Sequence, residues 1–428
     1  MAEDIFDAII VGGGVAGATA ALVLARAGCD VLVVERGNFA GSKNMTGGRL
    51  YAHSLESIIP GFAEEAPVER LVVREKITMM TADSGVTLDY QHPGGGAPSA
   101  ASWTVLRSSF DQWLMGKAED AGAQVITGVR VDELIRKDGK ICGVKAGDDE
   151  IESRAVILAD GVNSLLAKQA GIAQKINAHT VAVGVKELIE LSPTQMLDRF
   201  GCTGNTGTAW LFAGAPSCGH MGGGFLYTNK TSVSLGLVMG LHNVSKFPHS
   251  IPQMLEDLKN HPIVAPLISG GRLLEYSAHM VPEGGLKMVT ELVGDGIVVA
   301  GDAAGLCLNI GYTVRGMDLA IASGEAAAKA IIKAKENEDF SRYGLGMYRD
   351  LLEQSFIMND LKLYQNIPDL MNNPRLFTQY PGLMADLMHE VFSVTGPQRP
   401  LRNKLFPHIK KVGLFNLFKD GLKGVRSL

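Results

Sequence analysis

The residues of this chain whose types and spacing can do chemistry begin at position 12. Gly12-Gly13-Gly14-Val15-Ala16-Gly17 follows the apolar run Ala8-Ile9-Ile10-Val11 without a gap. Residues 18–27 are small and apolar with Arg26 as their charge, and Val31-Leu32-Val33-Val34 then closes on Glu35. A glycine-rich turn alone is weak, because such turns are common. Strand, glycine turn, helix, strand and acid in this order make a dinucleotide-binding unit. Gly12 permits the tight turn, Gly14 lets backbone amides approach a pyrophosphate, and Gly17 lets helix and strand pack closely. The helix N-terminus then faces the phosphates with unpaired N–H groups and a positive dipole end. Glu35 stands where a carboxylate accepts hydrogen bonds from both ribose hydroxyls. It would repel a 2′-phosphate, which argues against NADP and leaves FAD or NAD.

Two later segments favour FAD. Ala155-Val156-Ile157-Leu158-Ala159 runs into Asp160-Gly161, and Gly296-Ile297-Val298-Val299-Ala300 runs into Gly301-Asp302. Each places an aspartate at the C-terminal end of a buried-strand pattern, where open α/β sheets bind ligands. A carboxylate at Asp302 can accept hydrogen bonds from a ribityl chain. The bland alternative is that Asp160 and Asp302 begin turns or cap helices. Beside the first glycine turn, capping alone is the weaker explanation.

Two long runs carry a resemblance. They are Lys43-Asn44-Met45-Thr46-Gly47-Gly48-Arg49-Leu50-Tyr51-Ala52-His53-Ser54-Leu55-Glu56 and Asn309-Ile310-Gly311-Tyr312-Thr313-Val314-Arg315-Gly316-Met317-Asp318-Leu319-Ala320. With the three strand-end segments they resemble the glutathione-reductase-2 type of FAD protein. More closely, they resemble the FixC-like branch of the electron-transfer-flavoprotein:quinone oxidoreductases. The likeness extends over nearly the whole chain. It implies an FAD site built from Gly12, Gly14, Ala16, Gly17, Glu35 and Arg36, with Lys43, Gly47 and Gly48 from the first long run. Arg107 would reach the FAD phosphates or ribose, and Val131 would hold the adenine through its backbone. Asp160, Gly161, Gly301, Asp302, Gly311 and Thr313 complete the implied set. A solvated helix-end arginine is the alternative for Arg107.

The resemblance also implies partners: an electron-transfer flavoprotein as donor, a ferredoxin-like iron–sulfur protein, and quinone at a membrane surface. Relatives with their own iron–sulfur cluster carry it on cysteines near the C-terminus. Here Cys29, Cys142, Cys202, Cys218 and Cys307 form no CxxC pair and no cluster or zinc spacing. In the FixC-like branch a separate ferredoxin-like protein supplies the cluster, so no metal site is expected. Cys307, just past Gly305, reads as a small filler beside the flavin rather than a redox group. No Ser-His-Asp triad or evident acid–base pair stands out. His53, His220 and His279 are scattered and read as structural.

Composition is consistent with this. The chain has 428 residues, enough for two or three domains, and a formal net charge of −5 that leaves no nucleic-acid footprint. Its start, Met1-Ala2-Glu3-Asp4, lacks the basic region of a signal peptide. Residues 8–25 are uncharged, but the glycine turn after a strand makes them a buried βα unit rather than a membrane span. The expected location is cytoplasmic, soluble or peripheral on the inner face of the membrane.

These residues need a scaffold, and alternating pattern supplies it. The expected fold is α/β: a Rossmann-like FAD-binding domain, an antiparallel-sheet substrate domain and a helical C-terminal region. The flavin domain is expected to be discontinuous, over residues 1–75, 104–177 and 287–340. Residues 76–103 and 178–286 form the sheet domain, a roof over the isoalloxazine by resemblance, and 341–428 the helical region. Arg107 begins a helix, capped by Ser108 or Ser109, that stops at Ala121-Gly122. Residues 125–131 read as a strand. Residues 135–144 read as a hairpin turning at Lys137-Asp138-Gly139-Lys140, and a second hairpin turns at Asn229-Lys230. Pro93-Gly94-Gly95-Gly96-Ala97-Pro98 marks a surface loop. A helix starting near Gly316 points its N-terminus at the 301–311 loop, where it would stabilise negative charge on a reduced flavin.

The last 28 residues carry seven Lys or Arg against the single acid Asp420, with Leu405, Ile409, Val412, Phe415, Phe418 and Leu422 near helical spacing. Such a stretch can lie on an anionic membrane, dock an acidic protein, or pack on its own domain. The function expected is electron transfer from an electron-transfer flavoprotein through FAD toward quinone or a ferredoxin-like partner. Two alternatives stay open: an NAD(P)H-dependent flavin reductase or hydroxylase such as a prenyl reductase, and a non-turnover flavin-binding subunit of a larger complex.

Overall fold

The computed structural model describes residues 5–44, 48–92, 94, 96–173 and 176–427. A first sheet runs in the order Val293–Gly294, Ile297–Val299, Asp149–Leu158, Phe6–Val11, Val31–Glu35, Gln124–Thr127. From Ile297–Val299 onward every pairing is parallel. Parallel strands covered on both faces must be apolar throughout. Accordingly Ala8, Ile9, Ile10, Val31, Val33, Val156 and Ile157 are fully buried. The C-terminal ends of the three neighbouring strands Phe6–Val11, Asp149–Leu158 and Ile297–Val299 bring Gly12, Asp160 and Gly301 to one edge. This is a Rossmann-like α/β fold.

Small residues set the helix packing. Helix Val15–Arg26 lies against helix Met317–Glu336. A Cβ on Gly324 would sit 2.2 Å from the Ala16 carbonyl oxygen, so only glycine allows this approach. The contact fixes where the second helix begins, which matters for the site.

The hairpin at 133–146 forms as the spacing predicts, with Asp138 at φ +50° and Gly139 at φ +86° in its turn. The strand expected over 125–131 stops at Thr127. There Gly128, at φ +75°, turns the chain, and its N–H donates to Gly37 O at 2.7 Å. Helix Arg107–Asp120 is capped by neither serine. Leu106 holds the N-cap position without a side-chain bond, and Ser108 and Ser109 fall inside the first turn.

The second sheet runs Arg272–Pro282, Val181–Glu190, Ser232–Gly240, Gly222–Thr228, Thr206–Gly214, Val68–Met80, Ser102–Val105, Gly48–Tyr51, with Gly85–Gln91 also on Val68–Met80. It is antiparallel except where Thr206–Gly214 meets Val68–Met80 in parallel. The chain enters this sheet in two separate passages, and the parallel pair is the seam between them. Buried Arg70 pins the seam by donating to the carbonyls of Gly204, Thr206, Asn229 and Lys230 at 2.6–3.0 Å. The sheet begins earlier than residue 76: the expected boundary falls inside the strand Val68–Met80, and Gly48–Tyr51 already belongs to it.

Helices follow from Met347–Gln354 to Leu414–Ser427. Tyr348 anchors them, its buried hydroxyl donating to Val299 O at 2.8 Å directly beneath the Asp302 turn.

Candidate functional site

The glycine turn divides its work among its members. Gly12 has φ +106°, and a Cβ there would lie 2.4 Å from Ala159 O. A Cβ on Gly17 would lie 2.0 Å from Gly12 O, so Gly17 lets helix meet strand, and it lines neither of the two cavities of the site. Gly14 differs. The nearest atoms to a Cβ there are Asn44 Nδ2 at 3.8 Å and Arg107 at 3.9 Å, so its face is open. Helix Val15–Arg26 starts at Gly14 with no side-chain cap, leaving its first N–H groups for a ligand.

Glu35 closes the cradle. It is buried, with Oε2 accepting from Gly13 N–H at 2.7 Å and Oε1 from Gly37 N–H at 2.6 Å. Each oxygen keeps a lone pair for a further donor such as a ribose hydroxyl.

Two adjoining cavities of about 360 Å³ each open from this cradle. They share Gly14, Asn44, Ala159, Gly161 and His279 in their walls. The outer one is lined by Gly12, Glu35, Arg36, Lys43, Val131 and Asp160. Burial pushes the Asp160 carboxyl up to about 6, against a Ser164 hydroxyl that donates to it at 3.1 Å.

The inner cavity takes in Ala16, Gly48, Arg107, Asp302 and Gly311. Arg107 is no solvated helix end: its guanidinium is 19% exposed and grips Asp111 with bonds of 2.7 and 2.8 Å. Asn44 donates to the same carboxylate, so the arginine is tethered in the wall. Burial raises the Asp302 carboxyl and the Arg107 charge lowers it. No hydrogen bond from the described residues reaches the Asp302 carboxylate, so its side-chain oxygens are available to a ligand in the cavity. Helix Met317–Glu336 begins in the same wall at Gly316, aiming its positive dipole end inward. The second sheet roofs this space with apolar side chains, including Ile77, Leu211, Phe212, Phe225 and Val281, and the C-terminal region adds Met371 and Phe377.

Besides Gly17, two expected site residues stand outside these walls. Gly301 donates its N–H to Ser323 Oγ at 2.9 Å, and a Cβ there would meet Ala16 Cβ at 3.0 Å, so it locks helix to strand. Thr313 sits in the turn between Leu308–Asn309 and Val314–Arg315, its carbonyl accepting from Ile310. Gly47 lies outside the described residues.

Other residues were not foreseen. Glu283 is buried in the inner wall, accepting from Asn309 Nδ2 at 3.0 Å, and burial pushes its carboxyl up to about 7. Sequence reading missed it because a lone acid after a strand looks like the first turn residue. His279 lines both cavities, and burial, then the charges of Arg36 and Arg107, lower its pKa and favour a neutral ring. Burial pushes the Cys307 thiol up, and the acids Glu283, Asp302 and Asp318 push it further, so it stays protonated and unreactive. An acid–histidine pair does exist: His53 Nε2 lies 3.0 Å from buried Asp318, which also accepts from Arg315. It stands behind the cavity wall rather than in it.

Residues 7–204 match the family model of FAD dependent oxidoreductases. Residues 181–281 match that of the ETF-QO ubiquinone-binding domain, and residues 367–428 that of the ETF-QO/FixC family C-terminal domain. The chain is 60% identical over 429 residues to the probable electron transfer flavoprotein-quinone oxidoreductase YdiS of Escherichia coli K12, with both proteins covered completely. It is 58% identical to protein FixC of Salmonella typhi over the same full span. Among solved structures, a geranylgeranyl bacteriochlorophyll reductase-like protein of Thermoplasma acidophilum aligns with a TM-score of 0.71 at 20% identity, over 97% of this chain and 99% of that one. That last likeness speaks to the fold alone. The open amides at Gly14, the Glu35 cradle and the Asp302 carboxylate facing the cavity fit an elongated dinucleotide, and the cofactor is FAD. This chain belongs to the electron transfer flavoprotein-quinone oxidoreductase/FixC family of FAD-dependent oxidoreductases.

Proposed function

We propose that the chain passes electrons from an electron-transfer flavoprotein, through its FAD, to a quinone at a membrane surface, with a ferredoxin-like iron–sulfur protein as a further partner. The observation that carries this reading is an apolar roof, drawn largely from the segment matched to quinone-binding proteins, set directly over the flavin cradle. Bound FAD supplies the electron storage and transfer. The chain's residues do the rest. Gly14 amides and Arg107 take the phosphates, Glu35 the ribose and Asp302 the ribityl chain. The helix starting at Met317 favours negative charge near the ring. The roof excludes water and offers a planar, apolar slot to a quinone ring.

The C-terminal helices support a membrane-surface location. Among the described residues no helix is long and apolar enough to cross a membrane. Helix Leu414–Ser427 instead turns Asp420 inward, where Arg375 and Tyr380 hold it. Its opposite face leaves Phe415, Phe418 and Val425 70–78% exposed. Phe415, Phe418, Leu422 and Val425 recur at intervals of three and four residues, so they form one stripe. Exposed aromatic residues beside Lys419 and Arg426 suit a helix lying in an anionic lipid interface. A solvated basic face would have put the lysines outward and the phenylalanines inward.

The test is oxidation of the reduced FAD-loaded chain by quinone held in anionic vesicles. Deleting residues 401–428 should slow it and abolish vesicle pelleting while FAD stays bound. Binding of the intact chain should weaken as salt rises, because exposed charges are screened beyond about 8–10 Å. Salt-independent binding, or a truncated chain that pellets normally, would remove the membrane role of the tail.

A further inference from the structure

Two acids line the inner cavity among the described residues, Asp302 and Glu283. Asp302 feels the Arg107 charge, whereas burial and one hydrogen bond are what act on Glu283. That bond comes from Asn309, which occupies Glu283 Oε2 and leaves Oε1 without a donor from the described residues. Asn309 is fixed in turn, its Oδ1 accepting from Gly311 N–H at 2.9 Å. The flavin-side loop is therefore bonded directly to the Glu283 carboxyl. The backbone of Glu283 is also held, its N–H donating to Thr180 O at 2.8 Å.

Among the described residues nothing gives this carboxyl a counter-charge. The other charged or titratable groups of the cavity wall are Arg49, Arg107, Tyr227, His279, Asp302 and Cys307. Arg49 is taken by Glu75 and Ser102, and Arg107 by Asp111. Burial, first of all, keeps Tyr227 and Cys307 protonated, and lowers the pKa of His279. On the adjacent elements Lys287 and Asp369 pair with each other at 2.9 Å. A buried carboxylate without a cation is held near the point where it gains or loses a proton.

We propose that Glu283, positioned by Asn309, is a redox-linked proton site: its carboxylate binds one proton from solvent when the ligand in the inner cavity gains negative charge on reduction, and releases it on reoxidation. One O–H bond forms at Glu283, and the electrons are those of the oxidoreductase reaction itself. A new anion in a low-dielectric cavity raises the pKa of its neighbour, so uptake occurs over the window between the two values. The inference depends on bound FAD and not on which donor or acceptor the chain uses. Glu283 is a positioning and charge-compensating residue here, not a proton donor to substrate.

The test is the pH dependence of the two-electron potential of the bound FAD, by anaerobic dye-equilibrated titration. One additional proton per reduction changes the equilibrium constant tenfold per pH unit, about 30 mV for this couple. The wild-type slope should steepen by that amount above about pH 7, the value set by burial of Glu283. Glu283→Gln should keep one shallow slope throughout. Asn309→Ala, which removes a bond favouring the carboxylate, should move the break to higher pH. Equal slopes in wild type and Glu283→Gln overturn the proposal. Should Glu283→Gln bind no FAD, the FAD-free chains decide. Because the folded carboxyl is raised from 4.5 to about 7, the wild type should lose stability relative to the variant as pH rises across that interval. Parallel stability curves across it also overturn the proposal.

Discussion

Asp302→Ala separates a ligand-binding carboxylate from a turn residue. In the folded chain the Asp302 carboxylate accepts no hydrogen bond from the described residues, and its electrostatic partner Arg107 keeps Asp111 when Asp302 is gone. The substitution therefore breaks no side-chain hydrogen bond among the described residues. It does remove a charge-assisted hydrogen bond to the ribityl chain, worth about 1.5–3 kcal/mol. At 1.4 kcal/mol per tenfold, FAD affinity should fall roughly 10- to 150-fold. The assay is FAD titration into the deflavinated protein, followed by quenching of flavin fluorescence. Stability of the FAD-free chain should move the other way. Burial raises the Asp302 carboxyl above its ordinary value of 3.8, so the wild type is favoured at low pH and loses stability as pH rises past that value. The variant lacks this loss, and at neutral pH its unfolding midpoint should equal or exceed that of the wild type. Unchanged FAD affinity in a folded variant, or a destabilised FAD-free chain, would refute the assignment.

Gly17→Ala should both destabilise the chain and weaken FAD binding, because the added Cβ meets Gly12 O at 2.0 Å and Ile10 Cγ2 at 3.2 Å. Overpacking of this kind costs about 1–3 kcal/mol. The half-buried helical Gly116, with nothing within 4 Å of its Cβ position, should tolerate alanine and gain stability instead; a Gly17→Ala protein that melts and binds like wild type would sink this reading of the turn. Asp420→Asn should loosen the last helix, since Arg375 donates to that carboxylate at 2.6 and 2.7 Å. Limited proteolysis should then cut between residues 413 and 428 faster, with FAD retained. The Arg375 guanidinium holds Asp420 well below the usual carboxylate range, so the clasp persists at neutral pH and opens only as pH falls through that lowered value. Equal cleavage rates at neutral pH would show that the clasp does not hold the helix.

How much could be read from sequence depended on how far apart the partners lie along the chain. Gly12, Gly17 and Glu35 sit within one βαβ unit, so spacing alone makes them neighbours. The α/β class followed from the same local pattern, because a parallel strand buried on both faces has to be apolar at every position. Arg107 stayed ambiguous because its tether needs both Asp111, one helical turn on, and Asn44, 63 positions earlier along the chain. Glu283 was silent for the same reason. Its meaning comes from Asn309, in a different hairpin, and from a roof contributed by strands far away in sequence. The strand pattern at 125–131 overran because apolar alternation continued past Gly128, whose positive φ ends the strand. The seam of the second sheet was likewise invisible: nothing local at Val68–Met80 announces a partner at 206–214. Composition could not say which face of the tail helix turns outward; that follows from Asp420, which faces inward to Arg375 and leaves the phenylalanines on the outer face.

Anaerobic single-turnover kinetics test the proposed electron route most directly. The FAD-loaded chain is mixed with reduced electron-transfer flavoprotein, then with quinone-bearing vesicles, while the flavin absorbance is followed. Rapid bleaching by the flavoprotein, recovery on quinone, and only slow bleaching by NADH or NADPH alone are the predicted results. Rapid bleaching by NADH or NADPH alone, with the flavoprotein inert, would contradict the route and make the chain a pyridine-nucleotide-dependent reductase.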